Sequence, residues 1–213
     1  MSETTDRRAV LAGLAALAAA QSPLRAAAQA AHHHGHGGPV SAHGDEIDLS
    51  PASRTRAWHV APHAALVDHR GVAFDPAAAL ARPGPVALNF IFTTCPGVCP
   101  MLSAIMAALA DALGPDLARA RLWSVTLDPD TDTPEVLADY AALWDAPPEW
   151  RFLTGAPAAV NAVRGAFGAL DDNKMAHRAL TLVRLDGDLW ARHEGPVAPE
   201  TLAAEMRAAL ASG

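Results

Sequence analysis

Cys95 and Cys99, in the run F-I-F-T-T-C-P-G-V-C-P, are the only two cysteines of this chain. Two nearby thiols with no others to pair with suit redox or soft-metal chemistry. If the turn holding them is helix-like, their four-residue offset puts both sulfurs on one side with a rise of ~6 Å, so both reach one ion. Thiolates select soft ions such as Cu(I), and two sulfurs from one short loop leave a third ligand to come from elsewhere, a histidine being the natural candidate. A plain disulfide is the bland alternative, but closing a ring this small removes only ~2 kcal/mol of unfolded-state entropy.

The elements that must position these sulfurs are readable around them. Val86 to Phe92 is an apolar run that reads as a buried strand. Pro100 suits the first turn of a helix, and Leu102, Ile105, Met106 and Leu109 recur at helical spacing until Gly114 and Pro115 stop it. The cysteines therefore fall at a strand-to-helix junction, where the positive end of the helix dipole favours thiolate over thiol. The alternation continues with a strand over Arg121 to Leu127, a helix over Pro134 to Trp144, a strand over Arg151 to Leu153 and a helix over Pro157 to Leu170. Asp132 and Thr133 can cap the helix that Pro134 begins. Two hairpins flank this core: Ala64 to Phe74 around Asp68 and Gly71, and Ala179 to Leu185 with Leu189 to His193 around D-G-D. A last helix is expected over Pro199 to Leu210. The pattern is α/β, a central mixed sheet flanked by helices with a hairpin near its N-terminal side.

With 213 residues, 51% of them apolar, the chain supports one domain with a real core. Arg7 and Arg8 precede an apolar stretch from Ala9 to Ala20 and a small-residue A-Q-A site ending at Ala30. Residues 1–30 thus read as an export signal for the twin-arginine or general secretory route, with a periplasmic destination. The apolar stretch is shorter than the ~20 residues a membrane span needs, so no stable anchor is expected after cleavage. The formal charge of −7 makes nucleic acid and anionic membranes unfavourable partners. Export would also place the thiols in an oxidising compartment, where a working pair needs a periplasmic thiol reductant.

Residues 31–50 are rich in His, Gly and Ala, too poor in large apolar residues to offset their ordering entropy, and read as a flexible tail ahead of a 51–213 domain. His32, His33, His34 and His36, with His43 beyond, put five of the ten histidines here, which makes the stretch compositionally a metal-binding tract. Cleavage after Ala30 would leave Ala31-His32-His33 as a free terminus whose amine, two amides and His33 ring enclose Cu(II) in square-planar nitrogen geometry.

His177, in K-M-A-H-R-A-L-T-L-V, stands just before an apolar strand; taken alone it reads as an ordinary loop histidine, as His69 and His193 do. In order along the chain come L-V-D-H-R-G, N-F-I-F-T-T-C-P-G-V-C-P-M, S-V-T-L-D-P-D-T-D-T-P and then this histidine ahead of L-D-G. From about Trp58 to Leu210 the chain resembles the SCO/SenC copper-delivery proteins. That resemblance implies a thioredoxin-like fold and a copper site of Cys95, Cys99 and His177, with Asp128 as a possible partner contact. It departs from the family pattern at Gly97 and Ala176, where Asp is usual. It further implies delivery of copper to the binuclear copper centre of cytochrome c oxidase subunit II, or another copper enzyme, with other copper carriers as partners. The same cysteines can instead reduce the thiols of the receiving protein, since redox state selects between metal binding and disulfide exchange. A thiol peroxidase would need an activating group such as an arginine beside Cys95, which the motif lacks. The expectation is a site that holds and passes an ion, not one that turns over a substrate.

Overall fold

The computed structural model describes residues 52–171 and 173–212. The expected export signal and the tract with His32, His33, His34 and His36 lie outside the described residues. In chain order the elements are β1 (Ser53–Trp58), β2 (Leu66–Asp68), β3 (Ala73–Phe74), α1 (Pro76–Leu80), β4 (Val86–Ile91), α2 (Val98–Leu113), β5 (Arg121–Thr126), α3 (Pro134–Leu143), β6 (Trp150–Gly155), α4 (Pro157–Ala166), β7 (Leu180–Asp186), β8 (Leu189–Glu194) and α5 (Pro199–Ser212). All strands join one sheet in the order β1-β8-β7-β4-β5-β6-β2-β3. Strands β4, β5 and β6 are parallel, and every other pairing is antiparallel, which makes the sheet mixed as the sequence pattern implies.

β4 lies between β5 and β7 and is buried at all its residues, the mark of a central strand covered on both faces. Helix α2 packs on the sheet through Leu102, Met106, Leu109 and Leu113, all wholly buried. Each such side chain contributes ~1.5–3 kcal/mol by leaving water. The helical stretch Val98–Arg119 is long and apolar enough by composition to cross a membrane, but these buried contacts make it a core helix. A polar relay also crosses the core. The Trp150 indole N–H donates to Ser124 Oγ at 2.9 Å, that hydroxyl donates to Asn89 Oδ1 at 2.6 Å, and Asn89 Nδ2 reaches the Leu102 carbonyl at 3.4 Å. Three neighbouring strands are thereby tied to the first turns of α2, the helix that carries Cys99.

Some elements differ from the sequence expectation. α4 stops at Ala166 and not Leu170, because Gly168 takes a φ of 66° and the Ala169 N–H returns to the Arg164 carbonyl at 2.8 Å. With the Gly168 N–H on the Gly165 carbonyl at 3.2 Å, this is a Schellman stop. Phe167, freed from the helix, is fully buried with its ring 4.9 Å from that of Trp190. β1 has no counterpart in the sequence reading, since five of its six residues are exposed and show no apolar alternation. It exists because Ser53 to Trp58 pair with Glu194 to Leu189 along the sheet edge.

Candidate metal centre

Strand β4 delivers the chain into the loop that bears Cys95, and α2 begins at Val98, so Cys99 occupies the second helical position. Gly97 caps the helix without a side-chain hydrogen bond. Cys95 is partly buried and Cys99 wholly so, and both are free thiols. The Cys99 sulfur accepts the Phe92 N–H at 3.3 Å. Burial pushes the Cys99 thiol well above the ordinary cysteine range; the Phe92 N–H opposes this, while the neighbouring Cys95 and Asp132 add to the rise. The helix start favours thiolate, and at Cys99 desolvation works against it.

His177 arrives from the opposite neighbour of β4. Strand β7 runs antiparallel to β4 with Thr181 against Asn89, which sets the residues just before β7 beside the end of β4. There the His177 Nε2 lies 3.4 Å from Cys99 Sγ, and its Nδ1 lies 2.8 Å from the Lys174 carbonyl. A carbonyl only accepts, so Nδ1 carries the proton and Nε2 presents a lone pair to the sulfur. Burial holds the His177 pKa below the ordinary histidine value, with the Lys174 carbonyl pulling the other way. The ring stands edge-on to Phe92, centroids 5.6 Å apart. A neutral imidazole with its second nitrogen pinned is the form that binds a metal.

The structure thus brings Cys99 and His177 into contact, with Cys95 next to the Cys99 thiol. Among the described residues, no group of three or more His, Cys, Asp or Glu side chains is gathered as a ready metal cage. The donor set still fits a soft ion: two sulfurs and one oriented imidazole nitrogen at one end of the sheet. A metal held here would have to displace the thiol protons.

The D-P-D-T-D-T-P run supplies support that spacing alone does not reveal. Thr133, not Asp132, caps α3, accepting the Val136 N–H. Asp132 is fully buried and instead accepts the Thr93 hydroxyl at 2.6 Å, the Thr93 N–H at 3.3 Å and the Thr126 hydroxyl. It ties the cysteine loop to the end of β5. Asp128, the expected partner contact, is itself buried and paired with the Lys174 ammonium. Neither Lys174 nor Phe92 was singled out in the sequence, and no local pattern marks them. His69 and His193 serve structure: His69 Nδ1 accepts the Phe152 N–H at 3.2 Å, and His193 Nε2 lies 2.9 Å from Glu205.

The SCO1/SenC family model matches residues 52–211. A SCO1 protein homolog of Bacillus subtilis (strain 168) is 37% identical over 68 residues, and the match spans 32% of this chain and only 35% of that relative. The structure of Bradyrhizobium japonicum ScoI with copper bound is similar at 26% identity and a TM-score of 0.56, over 70% of this chain and 98% of that one. Yeast Sco1 with copper bound shares the fold at 20% identity and a TM-score of 0.59, over 73% of this chain and 90% of that one. The eight-stranded mixed sheet with its flanking helices is thus the thioredoxin-like fold of the Sco structures. Because the family model covers the whole described domain, cysteine loop and histidine segment included, this chain belongs to the SCO1/SenC family.

Proposed function

We propose that this protein is a periplasmic copper chaperone that binds copper through Cys95, Cys99 and His177 and delivers it to the binuclear centre of cytochrome c oxidase subunit II or a similar copper enzyme. The observation that carries the reading is the 3.4 Å approach of His177 Nε2 to Cys99 Sγ, with Nδ1 committed to the Lys174 carbonyl. A histidine 78 residues away in sequence meets Cys99 with its lone pair foremost. The copper bound in Bradyrhizobium japonicum ScoI supports the choice of ion. Other copper carriers would load the site, and a periplasmic thiol reductant would keep its sulfurs reduced.

Anaerobic Cu(I) titration of the reduced protein tests this. One copper per chain is expected, with X-ray absorption showing two sulfurs and one nitrogen. Unchanged affinity in Cys95→Ser or Cys99→Ser would reject it.

A second reading has its own observation. Cys95 is partly exposed while Cys99 is wholly buried, the asymmetry in which an accessible thiol attacks a partner disulfide and an inner one resolves it. On this reading the protein reduces the cysteines of the copper-receiving partner. Reduction of an oxidised partner peptide without metal, unaffected by His177→Ala, would favour it over delivery.

A further inference from the structure

We propose that Asp128 and Lys174 form a latch that positions His177 on the cysteine pair, a role that rests on the copper-site reading above. Between the end of α4 and the start of β7, His177 belongs to neither a helix nor a strand of the sheet; it follows a single 3-10 turn, Lys174–Ala176. Asn173 stabilises that turn internally by accepting the Met175 N–H at 2.9 Å, and Met175 itself is half exposed. Arg178, just beyond His177, holds Glu194 and the Gly168 carbonyl at 3.1 Å each, and what docks the turn itself is Lys174. Its ammonium pairs with Asp128 Oδ2 and lies 5.5 Å from the centroid of the Phe92 ring. Its carbonyl holds His177 Nδ1. One residue therefore joins the anchor to the metal-facing ring.

Asp128 is well placed to be that anchor. Its backbone N–H donates to Thr126 Oγ1 at 2.8 Å, and its carbonyl accepts the Asp132 N–H at 2.8 Å. The same turn thus reaches both halves of the site, Asp132 gripping Thr93 of the cysteine loop and Asp128 gripping Lys174 of the histidine segment. Phe92 lies between, touched by the Lys174 ammonium on one side and the His177 ring on another. An ion pair with one partner 41% exposed adds little to global stability. Its effect is local, to remove alternative placements of the turn ahead of His177.

Lys174 and Asp128 are positioning residues, so they must act through His177. Lys174→Met keeps the aliphatic stem and removes the charge; Lys174→Arg keeps the charge. In the full chain, reduced and anaerobic, competition with a Cu(I) chelator is expected to show roughly tenfold weaker binding for Lys174→Met and Asp128→Asn, in the range of outer-shell losses at metal sites. Lys174→Arg should recover most of the affinity. Combining Lys174→Met with His177→Ala should cost no more than His177→Ala alone. A loss that persists undiminished in the His177→Ala background would overturn the latch, because the side chain would then be acting on the fold and not on the ring. A readout without copper separates this proposal from the copper-site reading: ring-nitrogen NMR of the metal-free protein should find the Nδ1-protonated tautomer of His177 in the wild type and a tautomer average in Lys174→Met. The same single tautomer in both would sink the latch even if copper binds as proposed. A wild type that holds the tautomer yet takes up no copper would sink the copper site and leave the latch standing.

Discussion

The Lys174 carbonyl, 2.8 Å from His177 Nδ1, decides which nitrogen of that ring faces Cys99. The hydrogen bond is made by the backbone of the same residue whose ammonium pairs with Asp128. It gives the imidazole one tautomer and one direction. On the proposed copper-site reading, a ligand prepared in this way loses little freedom when an ion arrives.

Removing that ligand should be costly. His177→Ala is expected to lower Cu(I) affinity by about 100-fold or more, beyond the range typical of outer-shell changes. Chelator competition measures the loss, and X-ray absorption should lose its imidazole signal while both sulfurs stay. Equal affinity in the two proteins would exclude His177 as a ligand.

The two thiols should differ in reactivity when no metal is present. Cys95 is partly exposed, whereas Cys99 is buried and its pKa is raised by desolvation. Alkylation of the reduced protein near pH 8 should show one fast thiol, missing in Cys95→Ser, and one that reacts only as the domain opens. Two thiols of equal rate would contradict the burial of Cys99.

Asp132 links the cysteine loop to β5 through Thr93 and Thr126. Asp132→Ala leaves the Thr93 and Thr126 donors without their acceptor and should destabilise the domain by ~2–3 kcal/mol. The loop would lose its register as well, so copper affinity should fall with stability. Urea unfolding followed by copper titration checks both, and a variant with native stability would return Asp132 to a minor role.

Asp68 gives the domain an acid-sensitive point away from the proposed metal site. Its carboxylate accepts the N–H groups of Arg70 at 2.9 Å and Val72 at 3.0 Å, pairs with the Arg70 guanidinium at 2.9 Å, and has Arg151 at 3.4 Å. Burial alone would raise its pKa, but the bonds from Arg70 and Val72 prevail and hold it below the usual carboxylate value. A folded pKa below the unfolded ~3.9 contributes stability that is present above that value and lost as pH falls through the folded one. Asp68→Asn should therefore cost ~3 kcal/mol at pH 7 and less at pH 3. Denaturant unfolding at the two pH values reads the difference, and an equal cost at both would refute the assignment.

Much of the scaffold was legible because helices and strands record themselves locally. The spacing of Leu102, Met106 and Leu109 marks one face of α2, and the unbroken apolar run of β4 marks a strand covered on both sides. The cysteine pair was legible for the same reason, since its chemistry lies within five consecutive residues. The resemblance to the SCO/SenC proteins then singled out His177, which composition and spacing had left as an ordinary loop residue.

The rest was decided by tertiary structure. β1 carries no apolar alternation and becomes a strand only because β8 offers it an edge. Asp132 looked like a helix cap until the fold brought Thr93, distant in sequence, to its carboxylate. Above all, the meeting of His177 with Cys99 follows from sheet order: β7 inserts antiparallel beside β4, so residues 78 apart in sequence share one end of the sheet. Periodicity reports which face of an element is buried, but not which element becomes its neighbour, and the site is made by neighbours.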